Sequence, residues 1–211
     1  MPKSKSRARS KKQSMDAQEL MVNELKEIHS AENQLTKNLP RLMKVVETDS
    51  FREMLETRLD QGERLIEQID DIFDEMEMSP GRKKNVAAEG LISDLREHMQ
   101  EIEEGPALDA AMIAAIQKTE HYCIAAWGTA KALGQALGEE QVVRAMQQAL
   151  EEGKEMDRQL TRLAEEEVTP QLVSGEEDEE EDEEGMEMSS SRSSRGRTPN
   201  SHGERRHASR H

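Results

Sequence analysis

The segment IAAIQKTEHYCIAAWGTAKAL, residues 113–133, decides the fold. Its large apolar side chains recur three and four places apart, at Ile113, Ile116, Cys123 and Trp127, with Ala130 next in line. That spacing gathers them on one side of an α-helix. The two-residue alternation of a half-buried strand is missing. Working outward, the helix is predicted from about Ala107, after the Gly105-Pro106 break, to Leu137, and stops at Gly138. Gly134 and Leu137 extend the same stripe, and one position on it, Glu120, is wrong for an apolar core.

Three further long helices read in the same way. Helix 1 is predicted from Asp16, a good N-cap, to Glu47, with Pro40 kinking or locally ending it. Helix 2 runs from Ser50, read as its cap, to Met78, before the Ser79-Pro80-Gly81 stop. Helix 4 covers Glu139 to Glu167, ahead of Pro170. A shorter helix, Asn85 to Glu103, falls in the long connection between helices 2 and 3. The expected fold class is therefore all-α: an up-and-down four-helix bundle with one crossover carrying an extra short helix. Leu20, Met21 and Val22 suggest a second apolar face on helix 1.

Composition agrees. Aromatic residues are only 2% of the chain, whereas methionine, which suits irregular helix packing, occurs 13 times. Charge is segregated. Residues 1–14 carry six Lys or Arg and no acid, residues 174–188 carry ten acids and no base, and residues 189–211 are rich in Ser and Arg. The domain assignment is a basic tail at 1–14, a helical domain at 15–173, and an acidic then Ser/Arg-rich tail at 174–211, both tails expected to be disordered. The tails nearly cancel, so the formal net charge of −16 rests on the helical domain. An acidic domain disfavours nucleic acid, so any such contact is assigned to the basic tails. The single cysteine, Cys123, excludes a disulfide framework. With no apolar leader and no membrane-length apolar run, the chain is expected to be cytoplasmic, without membrane association. No phosphate-binding glycine loop, zinc-protease motif or nucleophile elbow is present.

Each long stripe is interrupted near its middle. The exceptions are Glu32 in helix 1, Arg58 and Gly62 in helix 2, Glu120 in helix 3 and Gly153 in helix 4. Packed along their stripes, the helices place these residues in one layer. A buried carboxylate must be protonated, hydrogen-bonded, paired with a cation or bound to metal. Inward glutamates with Glu-x-x-His pairs build the iron or manganese centres of ferritin-like bundles.

On these residues the chain resembles the YciE/YciF-like family of ferritin-like proteins. The matching segments are ELKEIHSAENQLTKNLPRLMK (24–44), IEQIDDIFDEM (66–76), AAEGLISD (87–94) and AAMIAAIQKTEHYCIAAWGTAKALGQALG (110–138). The resemblance implies a helical bundle, often dimeric, linked to stress responses, with a possible two-metal centre. Glu32 and Glu120 match inward glutamates of the family. Elsewhere the ligand pattern is eroded. The family's His-Leu-x-Glu-Thr is Arg58-Leu59-Asp60-Gln61-Gly62 here, its Glu-Glu-Lys-x-x-Asp is Glu152 to Asp157 with Gly153 at the second acid, and its second acid on helix 3 is Cys123.

Two accounts of the layer remain. Glu32, Glu120 and Asp157, with His29 as a further candidate, hold iron or manganese, or Arg58 occupies their site and neutralises the carboxylates bidentately. His29 and His121 read as edge residues, Cys123 as a small buried apolar residue, and Trp127 as core. The preferred function is a stress-associated structural or interaction module with a degenerate metal centre, acting as a homodimer. The alternatives are a non-haem di-iron or manganese protein with oxidase or peroxide-consuming activity, and a tail-mediated nucleic-acid-associated protein.

Overall fold

The computed structural model describes residues 14–175. The basic tail and nearly all of the acidic and Ser/Arg-rich tail lie outside the described residues, and with them the assignment of nucleic-acid contact. The helices are α1 (Ala17–Thr36), α2 (Leu39–Leu42), α3 (Asp49–Glu75), α4 (Val86–Glu101), α5 (Pro106–Leu137) and α6 (Glu140–Leu163), followed by a π-helical turn at Ala164–Val168. Of the described residues, 171–175 fall in a separate unit. No strand occurs among the described residues.

Four long helices form the ferritin-like bundle. α1 packs against α3 and α5, and α6 packs against the same two, so α1 and α6 lie on a diagonal. α5 begins at the end of the bundle where α3 begins, because Asp109 in its first turn bonds to the backbone of Glu47 and Thr48. α3 and α5 therefore run in the same direction, which requires the crossover carrying α4. α4 packs outside the four, against α1 and α5.

Local chemistry explains most of the boundaries. Asp16 accepts from the Glu19 amide at 2.8 Å while Glu19 returns a bond to the Asp16 amide at 3.2 Å, a reciprocal cap. α1 stops at Thr36 rather than continuing to Glu47, because the Pro40 ring would meet the carbonyl four residues back. The chain restarts as the single turn α2 with that proline in its first turn. α3 starts at Asp49 with Thr48 as N-cap, so Ser50 is not the cap. Asp109 has already taken the amides of Glu47 and Thr48, and Ser50 Oγ donates instead to Glu167 at 3.0 Å. α3 ends at Glu75, short of Met78, because Glu77 adopts φ 52 and the Met78 amide reaches back to the Phe73 carbonyl. The turn between α5 and α6 needs a left-handed residue, supplied by Gly138 at φ 78. Helical conformation passes the expected stop at Glu167, the widened π-helical turn relieving the same proline clash at Pro170.

The core divides into two apolar clusters. One contains Leu39, Phe51, Leu55, Leu95, Met112 and Leu160; the other contains Leu25, Ile69, Phe73, Trp127, Val142 and Met146. Each buried side chain of this size stabilises the fold by roughly 1.5–3 kcal/mol, so the stripes drive packing. Met21 and Val22 belong to the second cluster, leaving Leu20 alone of the three exposed, so the second apolar face suggested for helix 1 is not formed there.

Candidate functional site

Between the two clusters lies a polar layer built from the stripe interruptions. Helical periodicity carries Glu32, Arg58 and Glu120 inward as surely as their leucine neighbours: both carboxylates are 0% exposed and Arg58 is 2% exposed. The guanidinium lies between the carboxylates. Its Nη2 donates to Glu32 at 3.2 Å and 3.0 Å, one bond to each oxygen, and its Nε donates to Glu120 Oε1. Its carbon sits 5.8 Å from the centroid of the Trp127 ring, within cation–π range.

The two glycines make room for this arrangement. A Cβ at Gly62 would stand 2.7 Å from Thr36 Cγ2 and 3.0 Å from Arg58 Nη1. A Cβ at Gly153 would stand 2.5 Å from the Trp127 ring and 3.3 Å from Glu120 Oε2. Gly153 thus admits the indole that covers the guanidinium. Position 153 on α6 supplies no ligand atom to the layer.

The electrostatics are asymmetric. Two carboxylates face one guanidinium. Glu120 Oε2 and Trp127 Nε1 are buried with no hydrogen-bond partner among the described residues. Burial pushes the Glu120 carboxyl above its ordinary range, only partly offset by Arg58, with Glu32 and then Asp157 adding smaller upward pushes. Burial would lower the Arg58 pKa, but the carboxylates of Glu120 and Glu32 hold it well above its usual value. The Cys123 thiol is driven well up, first by burial and then by the same carboxylates, so it stays protonated.

The other candidates lie at the rim. Asp157 is partly exposed, receives Gln117 Nε2 at 3.2 Å and stands 3.3 Å from exposed His121 Nε2. One residue past Met156 on α6, it is rotated about 100° from the core stripe. The Nε2 of His29 is 3.0 Å from Asp70 Oδ1, at the α1–α3 edge. Among the described residues no group of three or more His, Cys, Asp or Glu side chains converges to hold a metal ion. As placed, the layer does not fit a pair of metal ions, because a fixed positive charge fills the space between the carboxylates and the fourth helix brings a glycine.

Two buried polar residues escaped the periodicity argument. Asp109, 0% exposed, joins α5 to the start of α3 as described above. Asn85 caps α4 by accepting from the Ala88 amide at 3.0 Å, and its Nδ2 donates to the Glu27 carbonyl and Tyr122 hydroxyl. Both bind groups remote in sequence. The Gly-Pro-x-x-Asp start of α5 and the Asn before α4 were the available signals, read as helix boundaries only.

A helical bundle crossed at mid-height by a buried Glu–Arg–Glu layer drawn from three helices, with a short helix in the crossover, is a ferritin-like protein. The chain belongs to the family described as domain of unknown function DUF892, which matches residues 16–173. Protein YciF of Escherichia coli (strain K12) is 35% identical over 148 residues, covering 70% of this chain and 89% of YciF. The crystal structure of that stress protein matches with TM-score 0.70 and 34% identity, covering 74% of this chain and 99% of the other. YcfI of Rhodopseudomonas palustris, provisionally described as a structural protein, matches with TM-score 0.66 and 31% identity over 70% of this chain and 94% of the other. No helix among the described residues is long and apolar enough to cross a membrane.

Proposed function

We propose that this protein is a structural or interaction module in which the Arg58 guanidinium replaces the metal ions of a ferritin-like centre. The observation that carries this reading is the bonding of one guanidinium to both inward carboxylates, Glu32 and Glu120, in a layer closed from solvent. The same contacts that would bind a dication are spent on a cation that cannot leave, change oxidation state or be displaced by substrate. Oxidase or peroxide chemistry then has no seat in the layer, and what remains is a rigid bundle. The stress association belongs to YciF and the structural description to YcfI. Carried to this chain, they support a module that acts through its surfaces. A homodimer is the assembly this reading expects, and the exposed apolar residues Met15, Leu20 and Met78 at one end of the bundle are available to it.

The test is elemental analysis of the full chain purified from cells grown with added iron and manganese. Metal well below one ion per chain is expected. Tightly bound stoichiometric iron or manganese would overturn the proposal and return the oxidase or peroxide-consuming reading.

A further inference from the structure

The acidic domain carries one conspicuously basic hollow. Between α1 and the segment leading into α4, a pocket of about 370 Å³ is lined by Lys26, Lys37, Arg82, Lys83 and Lys84, with His29 at its wall. Its volume is in the range of small-molecule sites, which run from about 300 to 1,000 Å³. A second hollow of about 250 Å³ shares Lys37 and Lys84 with the first and adds Arg41 and Arg96. Seven cationic side chains thus line one stretch of a chain whose formal net charge is −16.

Local pairing accounts for only some of them. Lys83 is bonded to Glu27 at 2.6 Å, and Lys84 is bonded to Glu89. His29 is engaged by Asp70. Arg96 is held by the Asn38 side chain at 2.8 Å. Lys26, Lys37, Arg41 and Arg82 have no carboxylate partner among the described residues. Among the described residues, where acids are in excess, four cations are left without one.

We infer that this double hollow binds a compact polyanion carrying two or more linked phosphate groups. The lysines serve as point charges for phosphate oxygens, and the Arg82 fork can hold one phosphate through two parallel bonds. Two adjoining hollows sharing Lys37 and Lys84 suit linked phosphates better than a single one. A long nucleic-acid backbone suits the site less well, because it would have to lie along the surrounding acidic surface within a Debye length of about 10 Å.

The experiment is calorimetric titration of the full chain with sodium triphosphate, orthophosphate and a short DNA duplex. Triphosphate is expected to bind saturably, more tightly than orthophosphate, and to weaken as salt rises from about 50 to about 200 mM. The variant K37Q/R82Q/K84Q, whose changes are all at exposed positions, is expected to keep its melting temperature and bind triphosphate at least about tenfold more weakly. Lys37→Glu, one charge reversal shared by both hollows, should weaken binding on its own. Triphosphate binding unaltered in both variants would place the ligand elsewhere on the chain and overturn the inference. So would the absence of triphosphate binding, or a duplex that binds where triphosphate does not.

Discussion

Replacing Arg58 by Met is the most informative change to this protein. Methionine keeps much of the side-chain volume and removes the charge. Three hydrogen bonds to carboxylates disappear, together with the cation facing Trp127. Glu32 and Glu120 are both 0% exposed, so water cannot replace the lost partner without opening the bundle. Breaking a buried ion pair on one side costs about 3–5 kcal/mol. For a domain of this size each kcal/mol moves the melting temperature by about 2–4 °C, so a fall of roughly 6–20 °C is expected. In R58M Glu120 loses the guanidinium that partly offsets its burial, so its carboxyl is more easily protonated in the folded chain than in the unfolded chain. Its penalty is relieved as pH falls through the folded value, and R58M should gain stability relative to wild type from neutral to mildly acid pH. The triple variant R58M/E32Q/E120Q removes the unpartnered carboxyls and should recover most of the loss. Urea denaturation of the three chains at two pH values measures all of this. An R58M chain as stable as wild type at neutral pH, or one no better rescued by the two glutamine changes, would refute the electrostatic account of the layer.

Other changes probe the same physics locally. Glu120 has a folded pKa raised mainly by burial, so its contribution to stability diminishes as pH rises through that value; in E120Q this dependence is gone, and its stability relative to wild type should decline on mild acidification, read by denaturant titration at each pH. Gly153→Ala gains about 1 kcal/mol in helix propensity but drives a Cβ to 2.5 Å from the Trp127 ring, so a net loss of about 1–2 kcal/mol is expected, whereas Gly90→Ala, with nothing within 4 Å, should gain about 1 kcal/mol in the same melting assay. Glu77 adopts φ 52 at the end of α3, and Glu77→Gly should stabilise by roughly 1 kcal/mol because glycine takes that conformation without penalty.

The fold was readable because its information is periodic. Four stripes with spacings of three and four specify four helices, and their interruptions at Glu32, Arg58, Gly62, Glu120 and Gly153 fall at one height without any need to know the loops. What failed was chemistry between elements distant in sequence. Serine is a good local cap, which points to Ser50 at the start of α3, but the neighbouring amides are satisfied by Asp109, sixty-odd residues away. Asp157 looked like a ligand through its family motif, yet one step of helical rotation carries it to Gln117 and His121 at the rim. Periodicity locates a side chain around its own helix and leaves open which remote group it meets.

The layer poses one remaining problem of charge. Glu32 and Glu120 together bring two negative charges and Arg58 one positive, so full ionisation would leave a net charge in a compartment screened from water on every side. Glu32 is held through both oxygens. Glu120 is held through one, and its Oε2 points towards Gly153 and the Trp127 ring with no hydrogen-bond donor. Burial also raises its pKa. A proton on Glu120 Oε2 makes the layer neutral and leaves Oε1 free to accept from Arg58 Nε. A metal centre neutralises surplus carboxylate charge with dications; with that proton in place, one guanidinium would give the same balance. Infrared difference spectroscopy of wild type against E120Q tests the assignment directly. A protonated-carboxyl band at neutral pH, lost in E120Q, is expected, and a wild-type spectrum without that band would place both glutamates in the charged form and break the charge balance argued here.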